Sequence, residues 1–366
     1  MKKTTLTGLG LAVLVLLSAA CKEDPDPKEY DRTALTANIG ENIIVPGYDA
    51  LHASVTDLKD AAAAFRQAPD SARLHQLETA LTLAWVDWKY CSAFEFGPAA
   101  SVSLRAVLNT FPCDSTQILA NVNAGTWDLN AAANIDARGF PALDYMVSGV
   151  GQNFGVVLRR YQSATDSAKL QNYLAALTSD MEAQVFGVAT AWDSYLATFK
   201  ASQGTDVGSS TSAIVNELNR DLEIIKTASI GIPLGKQTFG AALPGKVEGL
   251  YGELSKGLIV AELTGLQIIF EGQAGAAANR YGLREAVDAV EAQYNGQSLG
   301  EAISAQFPVA IAAVNAIPEP LSDAVVNQAP TVENAYNEIQ KLVVMLKSDM
   351  ASALSILITY TDADGD

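Results

Sequence analysis

From Leu170 to Phe199 the apolar residues fall at steps of three and four: Leu170, Tyr173, Leu174, Leu177, Met181, Val185, Val188, Trp192, Tyr195, Leu196 and Phe199. That spacing collects on one side of an α-helix, so the segment is predicted to be a long amphipathic helix with one buried face. The same pattern returns at Val332, Tyr336, Ile339, Val343, Leu346, Met350, Leu354 and Leu357, with Thr331 expected as N-cap just after Pro330. A third helix is expected from Tyr48 to Gln67. Pro69-Asp70-Ser71 then stops it and caps a fourth, running from Ser71 to Cys91 with Trp85 and Trp88 on one face. Leu258 to Phe270, interrupted by Glu262 and Gln267, is too short to span a bilayer and reads as a buried core helix. Period-two alternation is scarce. The expected fold is therefore all-α, with packed helical bundles. Hydrophobic residues make up 49% of the chain, enough for one large or two ordinary cores. The polar stretch from Ala201 to Ser212 marks a break, giving an N-terminal half at 34–205 and a C-terminal half at 206–366. Further divisions are expected at Gly272–Tyr281 and at Pro318-Glu319-Pro320.

The N-terminus sets the compartment. Lys2 and Lys3 precede an apolar run from Leu6 to Leu17, followed by Ser18-Ala19-Ala20-Cys21. Basic, apolar, then small residues is the layout of a secretory signal peptide, here 1–20. The cysteine at its end resembles the lipidation site of bacterial lipoproteins, with Cys21 carrying the lipid. Residues 21–33, polar and proline-rich at their start, suit a flexible tether. Lys22 followed by Glu23 and Asp24 resembles a lipoprotein surface-export signal. The expected location is the cell outer membrane, lipid-anchored, in its outward leaflet.

The formal charge of −17 argues against nucleic acid, because so acidic a chain repels phosphate backbones. Loss of Lys2 and Lys3 with the leader makes the mature chain more acidic still. Once Cys21 is lipidated, Cys91 and Cys113 remain, either as one disulfide or as two reduced thiols.

The segment Arg138-Gly139-Phe140-Pro141-Ala142-Leu143-Asp144-Tyr145 carries the most functional information. Proline at 141 has no side-chain lone pair and no N–H, but suits the first turn of a helix. Asp144 would then sit in that first turn, where the helix dipole favours a carboxylate. The segment resembles the signature of the imelysin family, Gly-x-His-x-x-Glu, whose His and Glu share one helix face and could together hold a divalent metal. Here the Gly stands, Pro141 replaces the His and Asp144 replaces the Glu. Leu81-x-x-Ala84-Trp85-x-x-Trp88 and Phe94-Glu95-Phe96-Gly97-Pro98 resemble the family's Ala-Trp helix and Phe-Gly-Pro turn. Gly231-Ile232-Pro233-Leu234-Gly235-Lys236-Gln237 and Val247-Glu248-Gly249-Leu250-Tyr251-x-x-x-Ser255 resemble its second-half segments. Together the matches span roughly residues 34 to 366, and their order and spacing make the resemblance specific.

The resemblance implies a ligand cleft between the halves. Carried over residue by residue, it nominates Arg138, Gly139, Asp144, Tyr145, Phe96, Gly97, Lys236, Glu248 and Ser255, with Asp144 as the metal-ligand candidate. Each also has a purely structural reading. Gly139 and Gly97 could serve turns, Arg138 could pair with an acid, and Glu248 and Ser255 could lie on solvated helix faces.

The two histidines, His52 and His75, sit on different predicted helices, and no His-Glu-x-x-His or Gly-x-Ser-x-Gly motif occurs. Two functions follow. One is a non-enzymatic, membrane-anchored binding protein linked by family to iron or haem acquisition, with iron, haem or another divalent metal as ligand and an outer-membrane transporter or small ligand as partner. The other is a metallopeptidase, which the loss of the His at 141 disfavours. A surface scaffold or adhesion protein is a third, plainer alternative.

Overall fold

The computed structural model describes residues 30–151, 153–273 and 281–360. The leader, Cys21 and most of the tether lie outside the described residues, as does 274–280 of the polar stretch after Gly272. The described chain is mainly helical. The only strands among the described residues are the two-residue pair Gln293–Tyr294 and Gln297–Ser298.

Eight helices frame the site: α1 (Val45–Gln67), α2 (Ser71–Cys91), α3 (Gly139–Asp144), α4 (Ser167–Ala201), α5 (Ser210–Ile224), α6 (Ser255–Glu271), α7 (Leu299–Asn315) and α8 (Ala329–Val343). Asp70 caps α2, its carboxylate accepting the N–H of Arg73 at 2.8 Å. Among the described residues the first helix starts at Arg32, where Asp31 serves as cap. The predicted cap at Thr331 is not used. Helix α8 starts two residues earlier, at Ala329, because Pro330 fills its first turn without needing an N–H partner. Leu357 lies beyond the end of that helical run and is exposed.

Helices α1 and α2 form a hairpin that packs on α4 through α1. Helix α6 packs on α2 and on α7, and so joins the two halves of the chain through the core. Trp85, Trp88 and Trp192 are all fully buried, each removing a large apolar area from water. Phe96 belongs to the same core. It stacks on Phe199 with centroids 5.8 Å apart and meets Trp192 edge-on.

Several helical runs pass through π-helical turns, at Ile39–Ile44, Tyr145–Gly149, Ile225–Gly231 and Val344–Met350. Such turns insert a residue into the helical ladder and often stand beside functional sites. The one at Tyr145–Gly149 directly follows α3. Cys91 and Cys113 are free thiols.

Candidate functional site

Helix α3 is anchored by its first residues. Gly139 has φ +72, and a Cβ there would overlap the backbone carbonyl of Leu108, so only glycine fits. Phe140 stacks on Trp85 at 5.5 Å, within 10° of parallel. Pro141 takes the first turn, where its missing N–H costs nothing.

Asp144 is held differently from the sequence expectation. It ends α3 and leads into the π-helical turn, so the dipole of the helix N-terminus does not hold it. Its partners come from the other half of the chain. Oδ2 accepts the N–H of Tyr251 at 2.9 Å and Oδ1 accepts the N–H of Gly252 at 2.8 Å. Burial pushes its pKa up to about 7, against the pull of those two hydrogen bonds. Beside it, the Tyr145 ring meets Tyr251 edge-on at 5.1 Å. Gly149 leaves room for both rings, since a Cβ there would strike each of them.

A second junction lies deeper. Lys89 of α2 pairs with Glu248 at 2.8 Å and with Glu262 of α6 at 2.7 Å, all three almost fully buried. Burial works against the Lys89 charge, but the two carboxylates outweigh it and hold its pKa above the ordinary lysine value. Asn109 donates to Glu248 at 2.7 Å and accepts from the Trp85 indole at 3.0 Å. Ser255 donates to the backbone carbonyl of Glu248. Nearby, Arg105 pairs with Glu217 and Asp221, both at 2.8 Å, and its backbone N–H donates to Glu95. Burial pushes Glu95 up to about 7. These contacts bridge the two halves of the chain with charge, hydrogen bonds and packing at once.

Asp144 stands between two cavities. The larger, about 430 Å³, has walls that include Glu78, Asp144, Ser148, Phe154, Tyr251 and Glu253, and among the described residues no Lys or Arg lines it. The smaller, about 50 Å³, is lined by Cys113, Pro141, Asp144 and Tyr251 among others. Burial, followed by the nearby Asp144 carboxylate, pushes the Cys113 thiol up to about 12.

The donor set does not fit a directly ligated metal. Pro141 offers no side-chain lone pair, and each Asp144 oxygen already spends one of its two lone pairs on a backbone N–H. Among the described residues, no three His, Cys, Asp or Glu side chains converge where an ion could sit.

The nominated residues therefore fall into separate places. Asp144 stands in the pocket wall, and Tyr145 packs behind it on the Tyr251 ring. Glu248 and Ser255 meet in the buried junction, where both are shielded from solvent. Arg138 is buried and pairs with Asp180 of α4, while also donating to the Leu129 carbonyl at 3.0 Å. Gly97, with φ +55, lets the backbone pass under the Tyr195 ring. Lys236 pairs with Glu333 and lies over the Tyr336 ring. His52 bonds to Glu182, and His75 stacks on Phe154 at 4.2 Å and meets Glu78 at 2.9 Å. Tyr251 stands in a segment that the sequence matches without being nominated, and Gly252, Glu253, Glu78 and Lys89 carry no sequence signal that nominates them for the site.

An all-helical body whose two halves are stitched by a carboxylate clamp, beside an acid-walled pocket, defines a class of helical-bundle proteins. The sequence model of the Imelysin family matches residues 44–348, and the chain belongs to that family. Iron-regulated protein A of Synechococcus elongatus is 23% identical over 330 residues, spanning 87% of this chain and 84% of the relative. A solved structure described as an iron-regulated protein A precursor from Parabacteroides distasonis superposes with a TM-score of 0.75 at 17% identity, covering 91% of this chain and 97% of that one. An imelysin-like protein from Psychrobacter arcticum gives a TM-score of 0.69 at 16% identity, covering 90% and 97%. Both structures share the fold.

Proposed function

We propose that the protein is a lipid-anchored, non-enzymatic binding protein that serves iron acquisition and takes a positively charged iron complex in the Asp144 pocket. The observation that carries this reading is the pocket wall. Glu78, Asp144 and Glu253 face it, and among the described residues no Lys or Arg lines it. Carboxylates in a partly enclosed site favour cations. With one lone pair on each Asp144 oxygen taken by a backbone donor, Pro141 inert and no three ligating side chains converging among the described residues, the wall attracts charge without offering an inner-sphere ligand set. The cation would therefore bring its own inner shell of water or a small chelator, and the wall would hold it through hydrogen bonds. Haem suits the pocket less well, because its propionates would face the Glu78 and Glu253 carboxylates. The iron link is supported by the iron-regulated relative. The missing ligand at 141 weighs against the peptidase alternative.

Membrane attachment through Cys21 is supported by the order Lys2-Lys3, apolar run, Ser18-Ala19-Ala20-Cys21. No helix among the described residues is long and apolar enough to cross a membrane. The test is growth of a deletion strain on limiting iron. The wild-type gene should restore growth, whereas Cys21→Ser and the pair Glu78→Gln/Glu253→Gln should not. A deletion strain that grows normally when starved of iron would remove the nutritional role.

A further inference from the structure

Phe239 is fully exposed at the tip of a turn. The turn is well built. Thr238 and Gly240 N–H groups donate to the Gly235 carbonyl at 3.1 and 3.0 Å, Ala241 N–H donates to Thr238 at 3.1 Å, and Leu243 N–H reaches back to Pro233 at 2.8 Å. Phe239 itself has φ +55, a left-handed conformation that is strained for an aromatic residue. An exposed ring at a strained position contributes no burial to offset that cost. Folding therefore does not account for this side chain, and a partner would. From Gly235 to Lys246 the chain carries Lys236 and Lys246 and no acid, within a protein of formal charge −17. Lys236 is engaged by Glu333, and Lys246 is exposed.

The same chain carries a matching socket. Ser54 and Asp57 of α1, with His75, Gln76, Thr79, Ala80 and Leu83 of α2, line an open pocket of about 390 Å³, large enough for one aromatic ring. Ala80 and Leu83 supply its apolar surface, and Leu83 is 59% exposed. Asp57 lines the pocket, and Asp87 hydrogen-bonds to Ser54 at its edge.

We infer that Phe239 of one molecule docks into the Ala80–Leu83 pocket of a second copy of this chain, with Lys246 facing Asp57 and Asp87. The contact is heterologous, since knob and socket are different surfaces. One ring buries little area, so association is weak, with a dissociation constant on the order of 100 μM.

The position of the knob favours a protein partner over the anchoring bilayer. Thr36 and Ser210 both hydrogen-bond to the C-terminal end of α4, at Lys200 and Phe199. The N-terminal helix and the start of α5 thus lie together. From Ser210 the helical run continues through its π-helical turn to Leu234. That run is roughly 35 Å long at 1.5 Å per residue, and it carries Phe239 away from the point where the tether joins.

The test is sedimentation equilibrium of the mature chain, residues 21–366 with Cys21→Ser to block acylation, from 10 μM to 1 mM. The average mass should rise with concentration. Phe239→Gly and Leu83→Lys should each hold it at the monomer, and an equimolar mixture of the two should restore dimers, because each retains the half the other lacks. Phe239→Gly should also melt at a higher temperature, which separates lost docking from lost folding. A wild-type mass that stays monomeric overturns the proposal, as does a Phe239→Gly chain that still associates. So does a monomeric wild type that binds vesicles of anionic phospholipid through Phe239, which would assign the knob to a membrane.

Discussion

Asp144 and Gly252 sit so close that neither position tolerates ordinary substitution. The Gly252 N–H reaches Oδ1 at 2.8 Å, and a Cβ on Gly252 would stand 2.8 Å from that same oxygen. One contact joins the signature helix to the second-half segment and shapes the pocket wall.

Asp144→Asn should expose how much the clamp contributes. An amide has one acceptor oxygen, so its NH₂ group would face one of the two backbone N–H donors. The expected loss is about 1–3 kcal/mol, read by urea unfolding. Gly252→Ala should cost a similar amount through the crowded Cβ. Wild-type stability in both variants would show that the clamp is not structural.

The pH dependence should run opposite to the usual acid denaturation. Asp144 and Glu95, both pushed up to about 7 by burial, keep protons that the unfolded chain releases near pH 4. Between about pH 4 and 7 the folded state therefore binds more protons, and stability falls as pH rises across that window. Asp70, Glu182 and Glu338, held below their ordinary values by hydrogen bonds from Arg73, Lys59 and Lys341, work the other way, at lower pH. The melting temperature should be higher at pH 5 than at pH 8, with a smaller difference in Asp144→Asn. A melting temperature that climbs from pH 5 to pH 8 contradicts this.

Lys89→Met should be the most damaging single change at the buried junction. It leaves Glu248 and Glu262 together in the core without their cation, at a cost of roughly 3–5 kcal/mol. Adding Glu262→Gln should recover part of the loss, because a neutral amide is cheaper to bury than an unpaired carboxylate. A double variant no more stable than the single one would mean that the charges are not coupled.

Much of this organisation is legible in the sequence. The stripe from Leu170 to Phe199 reads directly as α4, and Asp70 reads as a cap, because local spacing and local hydrogen bonding decide both. Gly139 is readable as a turn glycine. Asp144 is not readable in the same way. Its partners are backbone N–H groups more than a hundred residues away, and a backbone donor leaves no mark on side-chain identity. Lys89 and Glu262 did leave a mark, since each interrupts an apolar helix face and a charge there needs a partner. Nothing in the sequence says that the two choose each other.

Pro141→His should create what the parent lacks. It places an imidazole beside Cys113 and Asp144, at the 50 Å³ cavity. Zinc uptake, reversed by chelator, should appear in the variant and be absent from the parent by plasma mass spectrometry. Stoichiometric zinc in the parent would mean that ligands other than Pro141 and the clamped Asp144 suffice.

The pocket itself is tested most directly by calorimetry with hexaamminecobalt(III), a trivalent cation that keeps its own inner shell. The account predicts one binding site, weakened by Glu253→Gln and Glu78→Gln and by added salt, because the attraction is charge at a distance rather than ligation. Absence of heat with this complex, together with tight binding of bare ferrous or zinc ion, would show that the wall ligates metal directly and would contradict the account.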